Sequence, residues 1–143
     1  MIGQVFLTVV SGVMVFVLGQ IFVKFILEPI QEFDRLVGQI GYLLIYYANI
    51  YSKMDVADAT ELKEVSETFR QHASELFLLT HMIPRYALWA KLRLLPPLQN
   101  AHTAGSDLIG LSYGVYDMSS RGFEANEKRR RRIEEMLDLK TGA

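Results

Sequence analysis

The chain has 143 residues, a formal net charge of −1, a sequence pI near 6.3 and no cysteine. The near-neutral charge does not indicate a nucleic-acid-binding protein or a strongly acidic scaffold. The lack of cysteine excludes disulfides, iron–sulfur clusters and thiol catalysis.

An uncharged run opens the chain and ends at Lys24. A helix needs about 20 apolar residues to cross a hydrocarbon core, and residues 1–23 meet that length. No basic residue precedes the run, and bulky residues continue it where a signal peptide would carry its small-residue cleavage site. We therefore predict a retained anchor over 1–27 and a helical domain over 28–143. The alternative is a buried helix of a soluble protein.

The basic residues near this run predict its orientation in a membrane. None lies before the run, whereas Lys24 and Arg35 follow it. Because basic residues favour the cytoplasmic side, we expect the N-terminus outside and the C-terminal domain in the cytoplasm.

One side of the predicted span carries small and polar residues. At helical spacing they lie within roughly a 100° arc, and bulky residues such as Phe6 and Val13 lie opposite. Small residues allow close helix contact in lipid, and an amide can hydrogen-bond across it. The predicted span interface consists of Gln4, Thr8, Ser11, Gly12 and Gly19.

The remaining chain shows helical periodicity and no strand-like alternation. We predict an all-α protein in which the transmembrane helix precedes a bundle of four or five helices. These helices are expected over 29–52, 55–83, 85–94, 97–118 and 123–139. Pro29 predicts either a kink or a new helix start at the end of the span, and Asp55 or Asp58 is a candidate N-cap.

Residues 36–52 carry no charge and form the alternative of a second span. A polar stripe that includes Gln39, Tyr42 and Tyr46 argues against lipid on all sides of this helix. A second span would return the C-terminal part of the chain to the outside.

The segment around Trp89 combines aromatic and basic residues without an acid, a pattern typical of the lipid headgroup level. The candidates for membrane-surface contact are Arg85, Tyr86, Trp89, Lys91 and Arg93. The alternative is a connector that buries Trp89 in the bundle.

Two further patterns concern helix packing and charge. Ser106, Gly110 and Gly114 form a small ridge at steps of four, which suits close helix packing. The basic run over 128–132 is flanked by acids, with Glu127 and Arg131 and also Arg130 and Glu134 at i,i+4 spacing, which favours local pairing on a solvated helix face over a nucleic-acid site.

Nothing in the sequence indicates catalysis. His72, His81 and His102 lack the spacing of helical metal ligands, and Ser106-Asp107 lacks the setting of a nucleophile elbow. We predict no enzyme activity, no cofactor or metal, no small-molecule substrate and no nucleic-acid partner.

The layout resembles that of short, uncharacterised bacterial proteins with one N-terminal span and a cytoplasmic helical domain. The matching pieces are residues 28–32 (EPIQE), 46–49 (YYAN) and the basic tail over 128–139. The resemblance implies a location in the bacterial inner membrane and carries no catalytic residue.

Two hypotheses for the function follow. The first is a non-enzymatic, membrane-anchored protein that self-associates or docks on a membrane-protein partner as a structural or interaction subunit. The second is a small oligomeric effector that forms a pore, for example in bacterial defence, with Gln4, Thr8 and Ser11 lining the path.

Overall fold

The computed structural model describes residues 1–52, 59–116 and 119–139. These residues form helices and contain no strand, which confirms the predicted all-α class. The helices are α1 (Ile2–Phe22), a π-helical turn (Val23–Leu27), α2 (Glu28–Ser52), α3 (Ala59–Met82), α4 (Tyr86–Lys91), α5 (Leu98–Gly114) and α6 (Ser120–Met136).

Pro29 neither ends the first helix nor starts a separate one. Helix α1, the π-helical turn and α2 follow one another without a break. Glu28 N–H donates to the carbonyl oxygen of Val23, five residues back. Proline has no N–H to donate and its ring crowds the carbonyl four residues earlier, so the wider π turn just before Pro29 accommodates it within the helix.

The bundle is built by successive packing of α2 on α3, α3 on α5 and α5 on α6. Leu62, Val65, Phe69, Leu76 and Leu79 of α3 are all buried, because helical spacing places them on one face. The fully buried large side chains of the core are Phe33, Ile40, Leu44, Phe69, Leu76, Leu108, Leu111, Val115 and Ile133.

Residues 36–48 of α2 belong to the bundle rather than to a second candidate span. Leu36, Ile40 and Leu44 are buried, and the Tyr47 ring meets the Phe69 ring of α3 edge to face at 5.7 Å. Among the described residues, one continuous helix is long and apolar enough to cross a membrane, and its most apolar stretch is wholly exposed and near the N-terminus.

Several helix bounds differ from those predicted. Helix α4 ends at Lys91 rather than at 94, and α5 ends at Gly114 rather than at 118, although residues 117 and 118 lie outside the described part of the chain. Helix α6 begins at Ser120, three residues earlier than predicted, because the Ser119 hydroxyl accepts a 3.0 Å hydrogen bond from Gly122 N–H and caps the helix. The candidate caps Asp55 and Asp58 lie outside the described residues.

Candidate membrane-spanning helix and the surface at its exit

Helix α1 extends from the bundle with its whole surface exposed. None of its residues is buried, and large apolar side chains such as Val15 and Phe16 are 70% and 66% exposed. Soluble monomers rarely expose contiguous apolar surface on this scale. The length and composition of α1 are sufficient for a helix that crosses a hydrocarbon layer.

The small and polar residues predicted as the span interface all lie on this open surface. Thr8 Oγ1 donates to the Gln4 carbonyl oxygen at 2.9 Å, and Ser11 Oγ donates to the Leu7 carbonyl oxygen at 2.7 Å. Nothing lies within 4 Å of the Cβ position at Gly12 or Gly19. The two hydroxyls are thus satisfied within the helix, and the two glycines leave notches that a second helix could enter.

The core of the bundle extends to the residues that follow the apolar run. Ile26, in the π-helical turn, is half-buried against the core. The ring of Phe33 meets the ring of Tyr86 edge to face, with centroids 6.1 Å apart. Phe33 lies about 9 Å beyond Leu27 along the helix axis, so this contact places the start of α4 beside the second turn of α2, shortly after the apolar run ends.

Tyr86 was predicted to lie at a membrane surface, and this position is wrong. The side chain is 5% exposed, and its hydroxyl donates a 2.7 Å hydrogen bond to the Pro96 carbonyl oxygen. Burial raises the pKa of the phenol to about 12. The ring fills the core between α2 and α4, because the tight Pro84-Arg85 turn directs it inward while its neighbours stay outside.

The other four candidates of this segment lie at or near the surface. Arg85, Lys91 and Arg93 are exposed, and Trp89 is half-buried with its indole N–H donating to the Pro84 carbonyl oxygen at 2.9 Å. Trp89 packs against the edge of the core. It is therefore partly buried, as expected for a connector, and partly at the surface, as expected for a membrane-surface segment. Three exposed leucines lie beside these residues: Leu88, Leu92 and Leu94.

Two of the three small residues that form a ridge on α5 face α6, and the third is exposed. A side chain at Gly110 would collide with Arg129 of α6, and one at Gly114 would overlap Asn126. Ser106 is exposed and lines a shallow groove. The close approach of α5 to α6 therefore occurs at the two glycines.

Asn126 is a buried polar residue that the sequence reading missed. Its Nδ2 donates to the Gly114 carbonyl oxygen at 2.8 Å and lies 3.4 Å from the Tyr47 hydroxyl. It thereby links α6 to α5 and α2. The available signal was its spacing, because Asn126, Ile133 and Leu137 share one helix face at steps of seven and four.

The basic run on α6 is largely paired with acids. Arg130 contacts Glu127 at 2.8 Å and Glu134 at 2.7 Å. The hydrogen bond from Arg130 lowers the pKa of Glu127 and raises the pKa of Arg130 itself. Local pairing of the kind expected from the sequence spacing is therefore present on this helix.

A second ion pair joins α6 to α5. Arg132 Nε lies 2.8 Å from Oδ2 of the buried Asp107. Burial raises the pKa of Asp107, and the nearby Arg132 and Arg129 oppose that shift. The guanidinium of Arg132 therefore compensates a carboxylate that the helix packing has removed from water.

The histidines do not converge on a metal site. His81 and His102 stack with ring centroids 6.4 Å apart, and burial lowers the pKa of the separate His72. No group of three or more His, Asp or Glu side chains within residues 1–52, 59–116 and 119–139 could hold a metal ion.

Comparison with protein-family models, with curated proteins and with solved structures gives no match. The resemblance to short bacterial single-span proteins remains a prediction.

Proposed function

We propose that this chain is a non-enzymatic membrane protein, anchored by α1, that assembles through its span as a structural or interaction subunit. One observation carries the proposal: α1 is long, apolar and fully exposed, while the rest of the chain has a buried core of its own. A helix that the bundle does not need for its core is available to lipid and to a second helix.

The orientation forms part of the proposal. Lys24 and Arg35 follow the span in sequence, and the packing of α4 adds Arg85, Lys91 and Arg93 at the same end. Basic residues favour the cytoplasmic side of a membrane, and acids count little in this rule. The bundle would therefore face the cytoplasm, and the N-terminus the outside, of a bacterial inner membrane.

Self-association is proposed to occur on the face of the span that carries Gly12 and Gly19. The open notches at these glycines allow two backbones to approach closely, and dispersion contacts then replace those with lipid. The intrahelical bonds of Thr8 and Ser11 leave their oxygen lone pairs available for a weak bond to the second helix.

Cysteine crosslinking tests this assembly directly, since the natural chain has no cysteine. Ser11→Cys lies on the small face and Val13→Cys on the opposite face of the same helix turn. In native membranes, mild oxidation should produce a disulfide-linked dimer from Ser11→Cys and little from Val13→Cys. Adding Gly12→Leu and Gly19→Leu to Ser11→Cys should reduce the crosslink while membrane insertion persists.

Three other results would change the proposal. Equal crosslinking at both positions would show that the small face is not the contact. A monomer that brings down a second membrane protein in mild detergent would replace self-association by docking on that partner. A rise in the ion permeability of vesicles that contain the purified protein would assign the small face to a pore.

A further inference from the structure

The segment Arg85–Leu95, here called the exit loop, contains α4. The Tyr86–Phe33 contact places it beside the start of α2, about 9 Å beyond Leu27 along the helix axis, and Ile26 packs against the same core. We propose that the exit loop binds the anionic headgroups of the leaflet from which α1 emerges. This inference rests on the proposed span and adds a second, lipid-selective contact to it.

The charge of the exit loop favours an anionic partner. Arg85, Lys91 and Arg93 are exposed and form no ion pair with a described residue. Residues 76–106 contain no acid at all. On α6, by contrast, Arg130 contacts two glutamates of its own helix, whereas no acid lies near these three cations in the sequence.

The same surface carries apolar side chains. Leu88, Leu92 and Leu94 are 45%, 57% and 53% exposed, and they alternate with the cations along the segment. Exposed leucines next to cations and a half-buried tryptophan suit the boundary between headgroups and acyl chains. An acidic protein surface would use the cations but would gain less from the leucines, so the combination favours lipid.

The exit loop is held in place by the bundle itself. Trp89 Nε1 donates to the Pro84 carbonyl oxygen, and the Tyr86 hydroxyl donates to that of Pro96. Arg85 and Arg93 occupy the left-handed backbone region, with φ of 52° and 60°. Glycine is the residue that adopts this region without steric cost, yet both turns carry arginine, which supplies a cation where the backbone alone would favour glycine. These bonds hold the backbone of the exit loop in place before any contact with lipid.

Two probes can report on the exit loop in the full chain. Trp89 is the only tryptophan, so its fluorescence reports on this segment alone. Leu92→Cys introduces a single thiol at an exposed position. The protein would be reconstituted in vesicles of phosphatidylcholine, with or without phosphatidylglycerol, and insertion of α1 would be measured separately by flotation and resistance to alkaline carbonate.

With phosphatidylglycerol present, we expect spin labels near the headgroup to quench Trp89. Modification of Leu92→Cys by an impermeant maleimide should slow at least severalfold. Replacing Lys91→Gln and Arg93→Gly together should reverse both effects, with each cation contributing roughly fivefold. Glycine suits the backbone at residue 93, so this variant should remain folded. Lys63→Gln, at an exposed position on α3, is the matched control and should change neither readout.

The outcomes separate the two proposals. Inserted protein with equal quenching and equal labelling in both lipids would overturn the exit-loop contact and leave the anchor standing. Protein that fails to float would overturn both. Protection of Leu92→Cys in native membranes, but not in vesicles of the extracted lipids, would assign the exit loop to a protein partner and would also overturn the inference.

Discussion

The ring of Tyr86 meets the ring of Phe33 edge to face at 6.1 Å, and its hydroxyl donates a hydrogen bond to the Pro96 carbonyl oxygen. This one side chain therefore connects the first turns of α2 with both ends of the segment around α4. It holds that segment beside the start of α2.

Tyr86→Phe keeps the ring contact and removes the hydrogen bond. The Pro96 carbonyl oxygen loses its buried donor, so the free energy of unfolding should fall by about 1 kcal/mol. Urea denaturation of the full chain in mild detergent, followed by circular dichroism, measures this change. Tyr42→Phe, at an exposed position on α2, should leave the midpoint unchanged.

The same pair of variants tests the alkaline behaviour of the fold. The pKa of Tyr86 is raised to about 12 in the folded protein, above the ordinary value of about 10. Its contribution to stability is therefore fully present below pH 10 and is lost as the pH rises through 12. Tyr86→Phe should therefore lose less stability than the natural chain as the pH rises from 10 through 12, whereas Tyr42→Phe should lose as much as the natural chain. Equal alkaline profiles for both variants would contradict the buried position of Tyr86.

Gly114→Ala tests the close approach of α5 to α6. The added methyl group would overlap the Asn126 amide, so the free energy of unfolding should fall by about 1–3 kcal/mol. Gly38→Ala is the matched control, because nothing lies within 4 Å of its Cβ position. Alanine favours the helix there, and stability should rise by about 0.5–1 kcal/mol. A loss of the same size at both positions would remove the argument for close packing at Gly114.

Ser66→Ala tests a buried polar link between α3 and α5. The fully buried Ser66 hydroxyl donates to the Ser112 carbonyl oxygen at 2.6 Å and accepts from Arg70 at 3.1 Å. Its removal should cost about 1–2 kcal/mol. Ser74→Ala removes an exposed hydroxyl that bonds only within its own helix, and thermal unfolding should show a change within about 0.5 kcal/mol. Similar costs for the two serines would contradict this assignment.

Arg132→Gln leaves the buried Asp107 carboxylate without its partner. At neutral pH the variant should lose about 1–2 kcal/mol of stability. Arg131→Gln is the control on the same helix, because Arg131 is 74% exposed and lies 3.9 Å from Glu127. Chemical denaturation across a pH series would compare the two variants with the natural chain.

The pH dependence of Arg132→Gln follows from the raised pKa of Asp107. A carboxyl whose pKa is higher in the folded than in the unfolded protein stabilises the fold fully at a pH below its unfolded pKa of about 3.9. This stabilisation is lost as the pH rises through the pKa in the folded protein. Without Arg132 the pKa of Asp107 in the folded protein should rise further. The deficit relative to the natural chain should therefore be small near pH 4 and grow toward pH 7. A deficit independent of pH would contradict a role for Arg132 as the counter-charge of Asp107.

The long-range periodic features of this chain were predictable, and the local geometry was not. The apolar residues at helical spacing from Leu62 to Leu79 predict the buried face of α3, because that face is continuous over many turns. Tyr86 was misplaced because an aromatic ring suits both a membrane surface and a core, and only the turn at Arg85 decides between them. That turn gives no signal in the sequence, since arginine is not a typical residue for the left-handed region.

The start of α6 and the role of Asn126 illustrate a second limit. Serine occurs both in breaks between helices and at helix N-caps, so the helix was predicted to begin at 123, although the Ser119 hydroxyl caps a helix that begins at Ser120. The spacing of Asn126 with Ile133 and Leu137 places it on the buried face of α6, but its hydrogen-bond partners lie on α2 and α5. Such tertiary relationships cannot be read from one helix at a time.

The placement of α1 in a bilayer is the central claim, and thiol labelling in native membranes tests it most directly. Val10→Cys would lie near the middle of the span, and Lys63→Cys would lie on the bundle, which faces the cytoplasm in the proposed orientation. An impermeant maleimide should label Lys63→Cys in inside-out vesicles, and should label Val10→Cys only after detergent is added. Labelling of Val10→Cys at the same rate as Lys63→Cys without detergent would contradict a transmembrane position of α1.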